Sequence, residues 1–172
     1  RITHFTAEQM HNYLAAVYAE YNPEDKFYAA DILLFYSGLR RQEICALRWK
    51  DVDFKNNTLS VESAIGMGEK PYTKQPKTPL SKRKFPMIPQ LALPLKERYN
   101  AINPLPNWFV CGDGEKYWNP GSFSNYFRAF VKRNDLRDAY DNLISPHMLR
   151  HNLGAVGINS NMDIASLSKM MG

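Results

Sequence analysis

The sequence predicts an α+β fold, mostly α-helical, with a small antiparallel β-sheet or hairpin. Three observations lead there. Apolar residues recur at helical spacing behind capping residues through most of the chain. β-branched alternation is confined to 58–63 and 83–88, on either side of Gly66 and Gly68. The composition, 44% hydrophobic and 23% charged over 172 residues, is that of one well-buried globular domain.

Thr6 with Gln9 has the form of a capping box. It opens a helix to about Glu20, with Met10, Leu14 and Val17 as the apolar stripe. Asn22-Pro23 starts a second helix with Phe27, Ala30, Leu34 and Phe35 toward the core. The Ser37-Gly38 break ends it, and a third helix runs from about Arg41 to Trp49. After a turn at 51–57, strands at 58–63 and 83–88 frame a hairpin or three-stranded ribbon over 63–84. Residues 90–101 form a further helix, and 108–111 a short strand or buried extended piece. Asn119-Pro120 caps a helix to Arg133, Ser145-Pro146 opens the next, and Asp163 caps a last one to Met171.

The net charge is +5, and its placement says more than its size. Between Glu69 and Lys84, the basic Lys70, Lys74, Lys77, Lys82, Arg83 and Lys84 stand against Glu69 alone, whereas basic and acidic residues balance elsewhere. One concentrated basic element fits a polyanionic partner, nucleic acid ahead of membrane headgroups. A solvated charged loop has the same composition. No apolar run approaches membrane-spanning length. Cys45 and Cys111 are isolated in the sequence, which suits a reducing, cytoplasmic setting while leaving one disulfide open. The opening RITHFTAEQM has no signal-peptide core and reads as the start of a domain cut from something longer.

Chemistry collects in three stretches. In "SPHMLRHN", residues 145–152, Ser145 suits an N-cap and Pro146 the first helical position. His147, Arg150 and His151 then share one helix face, with Leu149, Leu153 and Val156 on another. Arg and His near a helix N-terminus suit an anion, above all a phosphate. A zinc site is the weaker reading, because no Glu follows the first His and Arg150 would repel the metal. Core histidines and a solvated polar face remain open on this stretch alone. In "SGLRRQEICALRWKDVDF", residues 37–54, Arg40 follows a glycine break, with Glu43 one helical turn on and able to orient it. Taken alone, that pair reads equally well as an exposed ion pair of little consequence. The third stretch is "KTPLSKRKFP", residues 77–86, on the basic ribbon. No Walker loop, paired metal-binding carboxylates or CxxC pair is present to support rival chemistries.

In this order, the three stretches resemble the tyrosine recombinase, or phage-type integrase, family over nearly the whole chain. The G-L-R-x-x-E-x-x-x-L-x-W-x-D-V-D run is similar to that family's first arginine box, K-T-x-x-S-x-R-x-x-P to its lysine hairpin, and H-x-L-R-H to its second box. The resemblance implies a helical catalytic domain over 1–172 that is incomplete. An N-terminal DNA-clamping domain and the C-terminal segment carrying the nucleophilic tyrosine would lie outside it. It implies site-specific DNA cleavage and rejoining through a 3′-phosphotyrosyl intermediate, with neither metal nor cofactor. Arg40 and Arg150 would take the non-bridging oxygens of the scissile phosphate, a task that suits bidentate guanidinium donors. Lys77 would be the general acid protonating the departing 5′-oxygen. His147 would hydrogen-bond the phosphate or help remove the nucleophile's proton, with His151 and Glu43 in support. Lys70, Lys74, Lys82, Arg83 and Lys84 would grip DNA. The implied partners are a double-stranded recombination site and further protomers in a DNA-bound tetramer, in a bacterial or phage setting at the nucleoid. The alternatives are a non-catalytic DNA-binding module and a type IB topoisomerase-like enzyme.

Overall fold

The computed structural model describes residues 5–66, the strand 72–74 and residues 82–150. Helix α1 (Ala7–Glu20) opens with the expected box: the Gln9 amide donates to Thr6 Oγ1 at 3.1 Å and the Thr6 amide to Gln9 Oε1 at 3.0 Å. Two orphan amides are thereby satisfied, which fixes where the helix starts. Helix α2 (Lys26–Tyr36) starts later than the Asn22-Pro23 signal suggests, because 22–25 form a turn in which the Asn22 amide donates to Asp25 Oδ2. Residues Tyr28 to Tyr36 are all buried, so α2 is the central helix rather than a surface one.

Helix α3 (Arg41–Ala46) is shorter than its apolar spacing predicts. The chain leaves it at Leu47 to pair with the 108–110 segment: the Val110 amide donates to the Leu47 carbonyl at 2.9 Å, and the Trp49 amide to the Trp108 carbonyl at 3.0 Å. Tertiary pairing outweighs helix propensity there. A 3₁₀ turn (Trp49–Asp51) leads into β1 (Val52–Asp53), which joins β2 (Thr58–Val61) and β5 (Arg83–Pro86) in an antiparallel sheet of order β1-β2-β5. The ribbon is present as a second pair, β3 (Ala64–Gly66) with β4 (Tyr72–Lys74), and β3 packs against α3. Helix α4 (Pro89–Ile102) follows, with Pro at its first position and Asn103 left-handed at its end. A hairpin of β6 (Gly112–Asp113) and β7 (Lys116–Tyr117) has no counterpart among the expected elements. Its turn holds Gly114 at φ +66, and a Cβ on Gly112 would come within 2.4 Å of the Lys116 carbonyl oxygen. Helix α5 (Pro120–Arg133) matches the expected span, its Asn119 cap accepting from the Gly121 amide at 2.8 Å.

The core is an aromatic stack between α1, α2 and α5. Tyr13 lies over Phe35 at 5.3 Å, Phe27 over Tyr126 at 4.4 Å and Trp118 over Phe123 at 4.6 Å between centroids. Both cysteines are buried free thiols, and burial pushes Cys111 up to about 12, so they serve as core residues. Among the described residues, no helix is long and apolar enough to cross a membrane.

Asp31 sits inside this apolar stack, fully buried, with Oδ2 accepting from the Tyr126 hydroxyl at 2.5 Å. Its Oδ1 has no hydrogen-bond partner among the described residues. Burial drives its carboxyl well above the ordinary range, and the Tyr126 hydrogen bond only partly opposes this. With the folded value raised, the stabilisation is full below the unfolded value and is lost as pH rises through the folded one. Asp31→Asn is therefore expected to raise the unfolding midpoint above neutrality, the gain fading as pH falls toward the ordinary carboxylate range. Thermal melts across pH check this, and a gain that grows in acid contradicts it.

Candidate functional site

The break between α2 and α3 sets the first site residue. Ser37 Oγ donates to the Leu33 carbonyl at 2.6 Å and accepts from the Leu39 amide at 3.1 Å, and Gly38 turns the chain at φ +69. Arg40 then stands in extended conformation at the start of α3, with its amide donating to Glu43 Oε1 at 2.9 Å. Its side chain is 48% exposed. The second box begins as expected: the Met148 amide donates to Ser145 Oγ at 3.3 Å, and 146–150 are helical. Leu149 is buried on the core side, while His147 is exposed and Arg150 partly so.

Arg40, His147 and Arg150 line a single cleft of ≈ 500 Å³ with Arg41, Gln42, Ser124 and Ser145, and among the described residues no carboxylate lines it. Elements far apart in sequence thus deliver three cationic or titratable side chains to one place. The Arg150 guanidinium is held below its ordinary range, first by burial and then by the positive charge of Arg40, with Glu43 opposing. Two like charges lining one cleft, with no acid beside them among the described residues, suit an incoming anion. A larger groove of ≈ 590 Å³ lies between α1 and residues 134–137, but its lining mixes Glu8 and Asp135 with Arg137 and so presents no single charge sign.

Glu43 supports this cleft differently from the expectation. It approaches the Arg40 guanidinium at 3.8 Å, yet its main partner is Arg83, whose Nη1 and Nη2 donate to its two oxygens at 2.7 and 3.0 Å. This corrects the reading of Arg83 as a DNA-gripping residue. Its side chain is 3% exposed and Glu43 is 5% exposed, so the pair is a buried fork. Strand alternation on β5 explains the miss: Arg83 and Phe85 point inward, Lys84 outward. Lys82 and Lys84 are exposed. Lys74 lies in β4, in register with Ala64. Lys70, Lys77, His151, Leu153, Val156 and the helix expected from Asp163 fall outside the described residues.

Sequence reasoning missed two cleft residues. Arg41 follows Arg40, and its guanidinium Nη1 donates to Ser124 Oγ on α5. The doubled arginine is visible in the sequence, whereas the Ser124 contact, between residues far apart in sequence, has no signal there.

The phage integrase family matches residues 1–172. The chain belongs to the phage integrase family. A tyrosine recombinase of Thermosipho africanus is 29% identical over 140 residues, 81% of this chain and 43% of that protein. Tyrosine recombinase XerC of Chlamydia caviae is 26% identical over 145 residues, covering 81% and 41% respectively. This integrase-family chain thus spans less than half the length of these relatives. Among solved structures, the Tn1549 transposon integrase in complex with transposon right end DNA has a TM-score of 0.74 at 23% identity, over 99% of this chain and 58% of that one. XerA recombinase has a TM-score of 0.70 at 18% identity, over 100% and 57%. These likenesses confirm the mostly helical α+β fold.

Proposed function

We propose that the chain is the catalytic domain of a site-specific DNA recombinase that cleaves and rejoins strands through a 3′-phosphotyrosyl intermediate. The observation that carries this reading is the cleft that brings Arg40, His147 and Arg150 together. In the proposed step a tyrosine oxygen bonds to the scissile phosphorus as the bond to the 5′-oxygen breaks. Arg40 and Arg150 stabilise the charge gathering on the non-bridging oxygens, and His147 takes or shares the phenolic proton. Lys77 returns a proton to the 5′-oxygen. The nucleophile is not one of the tyrosines with described side chains. None of them lines the cleft, and burial raises Tyr13, Tyr21, Tyr28 and Tyr126 above the ordinary range. These tyrosines are accordingly expected to form no adduct with DNA. The substrate is duplex DNA, in keeping with the transposon end DNA bound to the Tn1549 integrase, and further protomers complete a DNA-bound tetramer in the cytoplasm.

The test is salt dependence. Duplex affinity is expected to fall steeply with salt, and neutralising Lys70, Lys74, Lys82 and Lys84 together flattens log K against log salt by about 0.9 for each phosphate no longer paired with a cation. A slope that ignores the quadruple substitution places the DNA surface elsewhere.

A further inference from the structure

We infer that the cleft is a cradle for two adjacent phosphates, in which Arg41, oriented by Ser124, takes the phosphate next to the one held by Arg40 and Arg150. This rests on the recombinase reading above and deepens it. A phosphodiester has one negative charge, and in the reading above Arg40 and Arg150 already meet its two non-bridging oxygens with two guanidinium forks. The cleft nevertheless carries a third guanidinium, because Arg41 lines it beside Arg40. A third guanidinium is therefore in surplus for that phosphate and suits a neighbouring one.

The surroundings of Arg41 set it apart from the structural arginines. Arg83 is neutralised by Glu43, Arg133 by Glu20 and Arg137 by Asp135, while Arg98 is held by the carbonyls of Pro23, Glu24 and Val110. Arg41 forms no ion pair among the described residues. Its side-chain hydrogen bond goes to a hydroxyl, Ser124 Oγ. A hydroxyl orients a guanidinium without cancelling its charge, and four further N–H donors remain for another acceptor. The contact also ties α3 to α5 across the cleft, so the head group is held where an anion would enter. Consecutive Cα atoms are about 3.8 Å apart, so neighbouring arginine heads can serve neighbouring phosphates on one strand.

The experiment compares TpT, with one phosphodiester, and TpTpT, with two adjacent ones, by NMR titration of the wild-type chain, Arg41→Ala and Arg40→Ala. Wild type is expected to favour TpTpT beyond the statistical factor, Arg41→Ala to lose that preference while still binding TpT, and Arg40→Ala to weaken both. Duplex binding by Arg41→Ala is expected to show a salt slope lower by about 0.9, the value for one phosphate. Should Arg41→Ala fail to fold, Arg41→Gln and Ser124→Ala carry the same comparison, the latter loosening the head group without removing its charge. A TpTpT preference intact in the Arg41 variants, with Arg40→Ala weakened, overturns the second-phosphate inference and leaves the cleft reading standing. Indifference of every variant, Arg40→Ala included, overturns both.

Discussion

An Arg83→Ala variant is expected to lose about 3–5 kcal/mol of folding stability, the usual consequence of removing one partner from a buried ion pair. The removal strands Glu43, whose carboxylate is 5% exposed and otherwise held by the Arg40 amide at 2.9 Å and, more distantly, by its guanidinium at 3.8 Å. Burial works to raise the Glu43 carboxyl, but the Arg83 hydrogen bonds and the Arg40 amide outweigh it, and the net shift is downward. With a depressed folded value, the contribution is present above the ordinary glutamate range and is lost as pH falls through the folded value. Glu43→Gln should therefore remove part of the acid sensitivity of unfolding, and Arg83→Ala most of the stability itself. Urea unfolding at neutral and acid pH measures both. An Arg83→Ala chain that is fully stable, yet shows a lower salt slope on DNA, would reinstate Arg83 as a surface DNA contact.

Arg83 marks the point where sequence patterning stops being informative. Charge patterning identifies the basic ribbon, but a run of like charges does not say which member faces inward. The period of two on β5, with Arg83 and Phe85 in and Lys84 out, decides that, and it depends on the β2–β5 register pairing Val61 with Arg83. Local signals perform well where the physics is local. Thr6–Gln9, Asn119-Pro120 and Ser145 each cap a helix where expected, because a cap involves only residues within one turn. They fail where distant strands compete: α3 ends early since 47–49 pair with 108–110, a contact that neither segment can announce alone. The cleft itself is legible through Arg40, His147 and Arg150, whereas its second layer, Glu43 with Arg83 and Arg41 with Ser124, is not. Those partners are 40 and 83 residues apart in sequence, and each uses a residue type that is ordinary on a surface.

In the recombinase proposed above, Arg150→Ala is expected to slow covalent adduct formation on a nicked suicide substrate by about 10²–10³-fold, typical of losing one preorganised donor to a developing oxyanion. Arg40→Ala should cost a comparable factor, since both arginines line the same cleft and Arg150 already feels the Arg40 charge. The double substitution should cost less than the product of the two, because groups acting on one transition state are not additive. Arg150→Lys restores the charge without the planar fork, so it should recover only part of the rate. Duplex affinity is expected to change far less than the adduct rate in all of these variants, since the proposed reading leaves most phosphate contacts to the basic ribbon. Single-turnover trapping alongside anisotropy separates the two quantities. If Arg150→Ala lowers affinity and adduct rate by the same factor, the arginine grips the ground-state DNA. If neither changes, the cleft is not where the strand is cut.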